Sequence, residues 1–336
     1  MEHAMRTALV LGARGRLGDA CVQAFARSGW HVAAQVRPRP GDAAPEPANV
    51  MRLALALDDT AALARAAAGA AVVVHAVNPV YTRWEAEALP ALRQGMAVAR
   101  ALGARLMLPG NVYVYGQAMP PRLDEATPIA PDTPHGRIRA EMEAALEADS
   151  SLRSTVIRAG DFFGHGQGSW LDLAIAKDLL RGHLVYPGPL DRPHAWAYLP
   201  DLAQAFVAVA ECRDDGPAFE TLHFAGHTAT GAEFIAALQE AAASLGLTPP
   251  AGWRVRGFPW PLIRVAGLVW PMGRALAAMS YLWRTPHALE GRRLAARVGP
   301  GARALDRPLA DALRQALIDL GHRPHPLAAP ASALRG

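Results

Sequence analysis

Short apolar runs alternate with helix-period patterns through the first half of the chain. The runs at 7–11, 31–36, 50–54, 71–76, 105–108 and 154–158 are rich in Val, Leu and Ala and too short for helices, so they read as buried strands. Between them, 15–28, 60–68, 84–102 and 134–148 repeat apolar positions at helical spacing. The last of these helices has an explicit start, with Thr133 as N-cap and Pro134 at the first helical position. Strand and helix in strict alternation predict a parallel sheet covered on both faces.

Beyond residue 160 the alternation breaks down. Gly- and Pro-rich stretches surround 170–180, 186–193 and 200–210, and a strand-like run at 222–225 precedes a helix at 231–245. These features predict a Rossmann-type doubly wound domain over 1–160, with a returning segment at about 194–226. A smaller, mostly helical substrate lobe is expected from 161–193 and 227–336.

The segment 258–283 is strongly apolar, but Pro261, Arg264, Pro271 and Arg274 interrupt it, so it reads as lobe helices and no membrane partner is expected. Composition narrows the class further. The chain has 336 residues with 51% hydrophobic and 19% charged, a globular profile. Its formal charge is +4, but the arginines are scattered among acids, so nucleic acid is not expected as a partner. Cys21 and Cys212 stand inside apolar helical patterns, which suits reduced thiols, and no metal cluster is expected. The first strand begins within the first ten residues, so no export signal is expected and a cytoplasmic location is.

The chemistry begins at Gly12-Ala13-Arg14-Gly15-Arg16-Leu17-Gly18, between the first strand and the first helix. Glycines there permit a tight turn and bring backbone N–H groups to a pyrophosphate at a helix N-terminus. The second strand ends at Arg37, where an NAD-selective site places an acid for the ribose 2′-hydroxyl. Arg37, Arg14 and Arg16 offer guanidinium groups to a 2′-phosphate, which favours NADP, with NAD as the alternative.

Glycines at 12, 15 and 18, Asp58 after the third strand, Asn111-Val112-Tyr113-Val114-Tyr115-Gly116 after the fifth, and the later run from His194 to Ala203 resemble the extended and atypical short-chain dehydrogenase/reductases. Within them the pattern resembles the NAD-dependent epimerase/dehydratase group over residues 5 to about 225. The resemblance implies that Asp58 approaches the adenine, that His75, Ala76 and Val77 border the cofactor, and that Asn111 takes the usual catalytic Ser/Thr position. It also implies a Tyr-x-x-x-Lys pair near residue 135. This chain departs there, with His135 for the Tyr and Arg139 for the Lys. Lys177 is its only lysine and Leu173 stands four residues before it.

On a helix His135 and Arg139 still share a face. Arg139 can hold ribose hydroxyls but cannot relay a proton, and its charge disfavours a protonated His135. Tyr81 and Tyr113 are the other proton-donor candidates, while Asn111 can only orient a carbonyl. Asn78, Trp84, Asp161, Phe162, Phe163 and Trp196 are candidates for the substrate cavity, Asp161 standing where open sheets bind ligands.

Two functions follow. The leading one is an NADP-preferring oxidoreductase or epimerase-like enzyme moving hydride to or from a small carbonyl, alcohol or sugar-like substrate. The rival is a catalytically silent NADP-binding sensor; a methyltransferase ranks third, because the second strand ends without an acidic ribose contact. Helices 84–102 and 134–148 offer a surface for a homodimer.

Overall fold

The computed structural model describes residues 6–38, 47–212, 216–299 and 307–322. In chain order the first strands are β1 (Thr7–Leu11), β2 (His31–Val36), β3 (Val50–Ala54), β4 (Ala70–His75), β5 (Arg105–Asn111), β6 (Arg122–Leu123) and β7 (Ser154–Ala159). They are followed by β8 (Asp161–Phe163), β9 (His183–Tyr186), β10 (Pro193–Tyr198), β11 (Phe219–His223), β12 (His227–Thr230), β13 (Arg254–Gly257) and β14 (Ala288–Leu289). The helices are α1 (Arg16–Arg27), α2 (Thr60–Ala66), α3 (Trp84–Leu102), α4 (Pro134–Glu147) and α5 (Leu199–Glu211). Then come α6 (Gly231–Ser244), α7 (Trp260–Ala266), α8 (Pro271–Ala278), α9 (Arg292–Val298) and α10 (Leu309–Asp319).

Seven parallel strands form the central sheet in the order β11-β7-β5-β4-β1-β2-β3. The order reverses at β1/β4, which places the C-terminal ends of those strands at a crevice suited to a ligand. One apolar layer joins α1 and α5 to the sheet through Phe25, Phe206 and Leu202. The opposite layer joins α2, α3 and α4 through Leu63, Leu92 and Met142. Burial on both faces explains why the strands read as continuous apolar runs.

The helix starts follow local chemistry. The Thr133 hydroxyl accepts from the Gly136 N–H at 3.1 Å with Pro134 in the first turn, as the sequence pattern anticipates. Thr230 and Glu233 form a capping box on α6, an S/T-x-x-E signal that marks its first residue. The lobe is less purely helical than its loop-rich sequence suggests. It contains a three-stranded sheet, β12-β10-β8, and the short β9/β13 pair, packed on α6 and α10 around Trp196, Phe234 and Tyr186. Thus β10 belongs to a lobe sheet, while α5 and β11 return to the central layers.

Among the described residues no helix is long and apolar enough to cross a membrane, and no group of three or more metal-binding side chains gathers. The segment 258–283 forms α7, α8 and a 3₁₀ turn over Ser280–Trp283.

Candidate active site

The glycine loop is built for close backbone approach. Gly12 has φ +79°, in the left-handed region, and a Cβ there would lie 2.9 Å from the Val77 nitrogen and 3.0 Å from the Ala76 carbonyl carbon. A Cβ on Gly18 would fall 2.3 Å from the Gly12 oxygen. Gly15 is the N-cap of α1 and has no side chain to occupy the space before the helix's free N–H groups. This cradle fits a dinucleotide pyrophosphate, because the bare backbone and the positive end of the helix dipole face the same point. Leu17 is buried in the α1 layer and serves the cradle through its backbone.

Gln35, 2% exposed, sets the loop from behind. Its Oε1 accepts from the Gly12 N–H at 2.9 Å while its Nε2 donates to the Leu55 carbonyl at 2.7 Å. Beyond it, Arg14 donates to the Arg37 carbonyl, so two guanidinium side chains share the exposed end of β2. Asp58 is exposed just before α2, whose N-cap is its neighbour Asp59.

Arg16 points elsewhere. Its guanidinium donates to the carbonyls of Gly164, His165 and Gly168 at 2.8, 3.4 and 3.4 Å, pinning the loop after β8 to α1. His165 adds a contact from Nε2 to Asp19 Oδ2 at 2.6 Å, held in a left-handed backbone conformation at φ 53°. Three lobe carbonyls engage Arg16, so in this structure its guanidinium clamps the cofactor loop to the lobe.

Past the crevice, His75 ends β4 with neither ring nitrogen partnered, at 1% exposure. Gly95 of α3 makes its room, since a Cβ there would be 2.5 Å from His75 Nδ1. Burial, aided by the Arg139 charge, lowers the His75 pKa to about 3, so the ring is neutral.

The β5 end holds Asn111 and faces His135 and Arg139 of α4. Asn111 Oδ1 accepts from the Tyr113 N–H at 3.1 Å, leaving its amide N–H groups for another acceptor. Tyr81, on the turn after β4, stacks on His135 with ring centroids 4.0 Å apart, and His135 Nε2 donates to the Tyr81 carbonyl at 3.1 Å. The Tyr81 and Tyr113 phenols lie close enough to act on each other electrostatically. Trp84 anchors this cluster by donating to the Pro79 carbonyl at 3.1 Å. Its ring carries the Arg139 guanidinium at 4.5 Å from the centroid.

Arg139 also donates to the Pro109 carbonyl at 3.3 Å, and its Nε is buried without a partner. Burial lowers its pKa, and the nearby Tyr113, Glu143 and Tyr81 counter the shift. Burial likewise holds both phenols above their usual range and pushes His135 down. The cluster thus contains neutral phenols, a neutral imidazole and one guanidinium.

Asp161 faces this cluster from the lobe. His194 Nε2 contacts Asp161 Oδ2 at 2.9 Å, and the imidazole lies flat on Trp283 with centroids 4.5 Å apart. The carboxylate acts electrostatically on Tyr81, Tyr113, Tyr186, Tyr281 and His287. Buried polar atoms are normally paired, yet Tyr281 Oη and His194 Nδ1 have no hydrogen-bond partner. A substrate held among them would satisfy groups that otherwise cost about 1–3 kcal/mol each.

The remaining sequence candidates separate. Asn78 is exposed on the rim, whereas Phe162 packs against the α1/α5 layer. Phe163 is fully buried in the lobe core, T-shaped to Trp196, which stacks on Phe234 at 4.3 Å. Both were expected as cavity walls; packing between β8, β10 and α6 takes the Phe163 ring entirely and the face of Trp196. Tyr281, Trp283 and His287 were not anticipated near Asp161, because their local patterns show only apolar or loop character. Gln35 likewise carries no local signal beyond its place on a buried strand.

A parallel sheet with this strand order, a glycine cradle at its reversal point, and Asn111 and Arg139 at the same edge define a nicotinamide-dinucleotide type of α/β protein. The model of the NAD dependent epimerase/dehydratase family matches residues 8–224, and the chain belongs to that family. A 3-diazoavenalumate denitrifying reductase from Streptomyces sp is 32% identical over 225 residues, covering 62% of this chain and 73% of the relative. Among solved structures, the UDP-glucuronic acid 4-epimerase of Bacillus cereus in complex with NAD superposes with TM-score 0.69 at 14% identity, covering 94% of this chain and 98% of the other. A human epimerase family protein with NADPH gives TM-score 0.62 at 20% identity, over 92% and 98% of the two chains.

Proposed function

We propose that this protein is an NADP(H)-dependent reductase, or the corresponding dehydrogenase, for a small uncharged aromatic or carbonyl substrate. The observation that carries the reading is the ring of buried phenols and unpartnered polar atoms around Asp161, beside Asn111 and Arg139. A carboxylate at Asp161, held by His194 Nε2 at 2.9 Å, disfavours an anionic group among the phenols by like charge. Aromatic walls with a few fixed polar groups instead suit a flat, weakly charged molecule. The reductase activity in the name of the Streptomyces relative supports the same choice.

When bound, a nicotinamide supplies or accepts hydride at its C4 carbon. The pyrophosphate seat is the backbone of Gly12 to Gly18, and Arg37 with Arg14 would hold the 2′-phosphate. Arg139 Nε, buried and unpartnered, donates to a ribose hydroxyl. The Asn111 amide donates to the substrate oxygen and orients it. Tyr113, beside Tyr81, gives that oxygen its proton, and the Arg139 charge offsets part of the rise that burial and Asp161 impose on the phenol. His135 supports Tyr81 by stacking and does not supply the proton itself.

Titration of the protein with NADPH and NADH, followed by nicotinamide fluorescence, tests the cofactor choice. NADPH is expected to bind more tightly, and Arg37→Ala to weaken it roughly 10- to 100-fold through loss of a charge-assisted contact. Gly15→Asp should abolish binding of both while the protein stays folded, since Asp is a good N-cap but puts an anion in the pyrophosphate seat. Tighter NADH binding, or none of either nucleotide, sinks the reading.

A panel of aromatic aldehydes, diazo arenes and UDP-sugars, monitored by NADPH consumption, tests the chemistry. Turnover is expected with the aromatic compounds. Tyr113→Phe should then lower kcat by about 10²–10⁴-fold with little change in KM. Turnover of UDP-sugars alone would exclude the proposed substrate class, and tight NADPH binding without turnover of any would favour a sensor.

A further inference from the structure

The chain has no Asp or Glu between Glu240 and Glu290, yet this stretch contains Arg254, Arg256, Arg264, Arg274 and Arg284. It also carries the most exposed apolar side chains of the described residues. Leu262 is 69% exposed, Val265 66%, Leu268 78%, Val269 88% and Trp270 45%. Leu262 and Val265 share one face of α7 at i and i+3, and Leu268, Val269 and Trp270 follow in the turn to α8. Such a stripe normally turns inward, but α7 has no buried residue and packs on α8 instead.

The hairpin is preformed. Pro261 and Pro271 stand in the first turns of its two helices, and Gly273 lets them approach, since a Cβ there would lie 3.3 Å from the Ile263 carbonyl oxygen of α7. Arg264 and Arg274 flank a hollow of about 440 Å³ that Gly267, Leu268 and Ala277 complete. With 7 and 8 residues, the helices are far too short to span a bilayer. A short apolar face, an aromatic residue at its edge and basic groups around it are the features of an element that lies in a membrane interface.

We propose that the α7–α8 hairpin is a peripheral docking face for a membrane containing anionic phospholipid. Leu262, Val265, Leu268, Val269 and Trp270 enter the boundary between headgroups and acyl chains, and Arg264 and Arg274 grip a headgroup phosphate. Charge complementarity selects this occupant, because five arginines with no acid among them over the whole stretch match a diffuse negative surface. The inference is independent of the cofactor and substrate reading.

Sedimentation of the full-length protein with phosphatidylcholine vesicles, with and without phosphatidylglycerol, tests it. Binding is expected only with phosphatidylglycerol and should weaken as salt is raised. Arg264→Ala/Arg274→Ala should lower vesicle affinity roughly 30-fold, from about 1 kcal/mol for each arginine. Leu268→Asp/Val269→Asp should abolish binding, and an unchanged thermal midpoint would show that these exposed substitutions spare the fold. Absence of phosphatidylglycerol-dependent binding overturns the proposal, as does binding that neither variant alters. So does a dimer that Leu268→Asp/Val269→Asp dissociates while vesicles are ignored, since the face would then join two copies of the chain.

Discussion

Acidification below pH 6.5 is expected to remove stability steeply, because three buried histidines cannot take up the proton that the unfolded chain accepts. His75, His223 and His287 are 1%, 0% and 1% exposed. Burial is the main cause in each case and lowers their pKa values to about 3, about 4 and about 3 from the ordinary 6.5. The charges of Arg139 beside His75, Arg158 beside His223 and His194 beside His287 act in the same direction. Hydrogen bonding agrees for His223, whose Nδ1 donates to the Leu123 carbonyl at 3.2 Å while Nε2 accepts from the Tyr115 hydroxyl at 2.7 Å.

All three folded-state values lie below the unfolded one, so the unfolded chain binds protons first as pH falls. The contribution is complete above about pH 6.5 and is lost progressively down to the folded values near 3 to 4. Each histidine costs about 1.4 kcal/mol per pH unit in that window, so together they cost about 4. Against a total stability of roughly 5–15 kcal/mol, the protein should unfold within one to a few pH units below the window's upper edge. Thermal melts between about pH 7.5 and about pH 5 check this, with a flat midpoint above neutrality and a steep fall below it. His287→Gln should shrink the slope by about a third; a midpoint that stays level to pH 5 contradicts neutral burial of these rings.

Glu143→Gln is expected to cost about 3–5 kcal/mol of unfolding free energy. Glu143 and Arg158 side chains are each 4% exposed and meet through two guanidinium nitrogens. Arg158 Nη1 also donates to the Tyr115 hydroxyl at 2.6 Å, and that hydroxyl continues the chain to His223. Glutamine nearly preserves the shape and keeps one acceptor oxygen, but it removes the counter-charge and turns an NH₂ toward the guanidinium, leaving the buried cation against neutral groups only. An intact pair contributes far less than its rupture costs, because desolvation offsets the attraction. Glu143→Gln/Arg158→Met should therefore recover part of the loss in urea denaturation, and a double variant no better than the single one would mean that packing dominates. Arg158 precedes Asp161 by three positions and Tyr115 follows Asn111 by four, so the network also braces both sides of the candidate site.

Much of the fold was readable along the chain. Alternation of apolar runs with helical periods is a local property, and a parallel sheet buried on both faces imposes it directly. Gly12, Gly15 and Gly18 were legible for the same reason, since the turn they form lies within one βα unit. So was the Thr133 cap, which the Gly136 N–H confirms. Boundaries shifted only slightly: β4 runs one residue earlier than expected, and β5 extends to Asn111.

Pairing across long separations was not readable. Tyr81 reaches His135 across 54 residues, Arg16 the Gly164 carbonyl across 148, and Tyr115 His223 across 108. Arg16 illustrates the limit: in the loop it looks like a phosphate ligand, yet three carbonyls from the lobe claim its donors. Phe163 and Trp196 illustrate the reverse, since aromatic residues near a pocket and aromatic residues in a core have the same local pattern.

By itself, then, the sequence determined the βα alternation and the glycine cradle between the first strand and helix, because these depend on residue type and on neighbours within a few turns. The tertiary structure decided which side chains meet around Asp161, which histidines are kept neutral, and that the α7–α8 stripe faces outward. Those outcomes depend on how separate segments dock, where burial and hydrogen-bond satisfaction are settled only when distant partners compete for the same space.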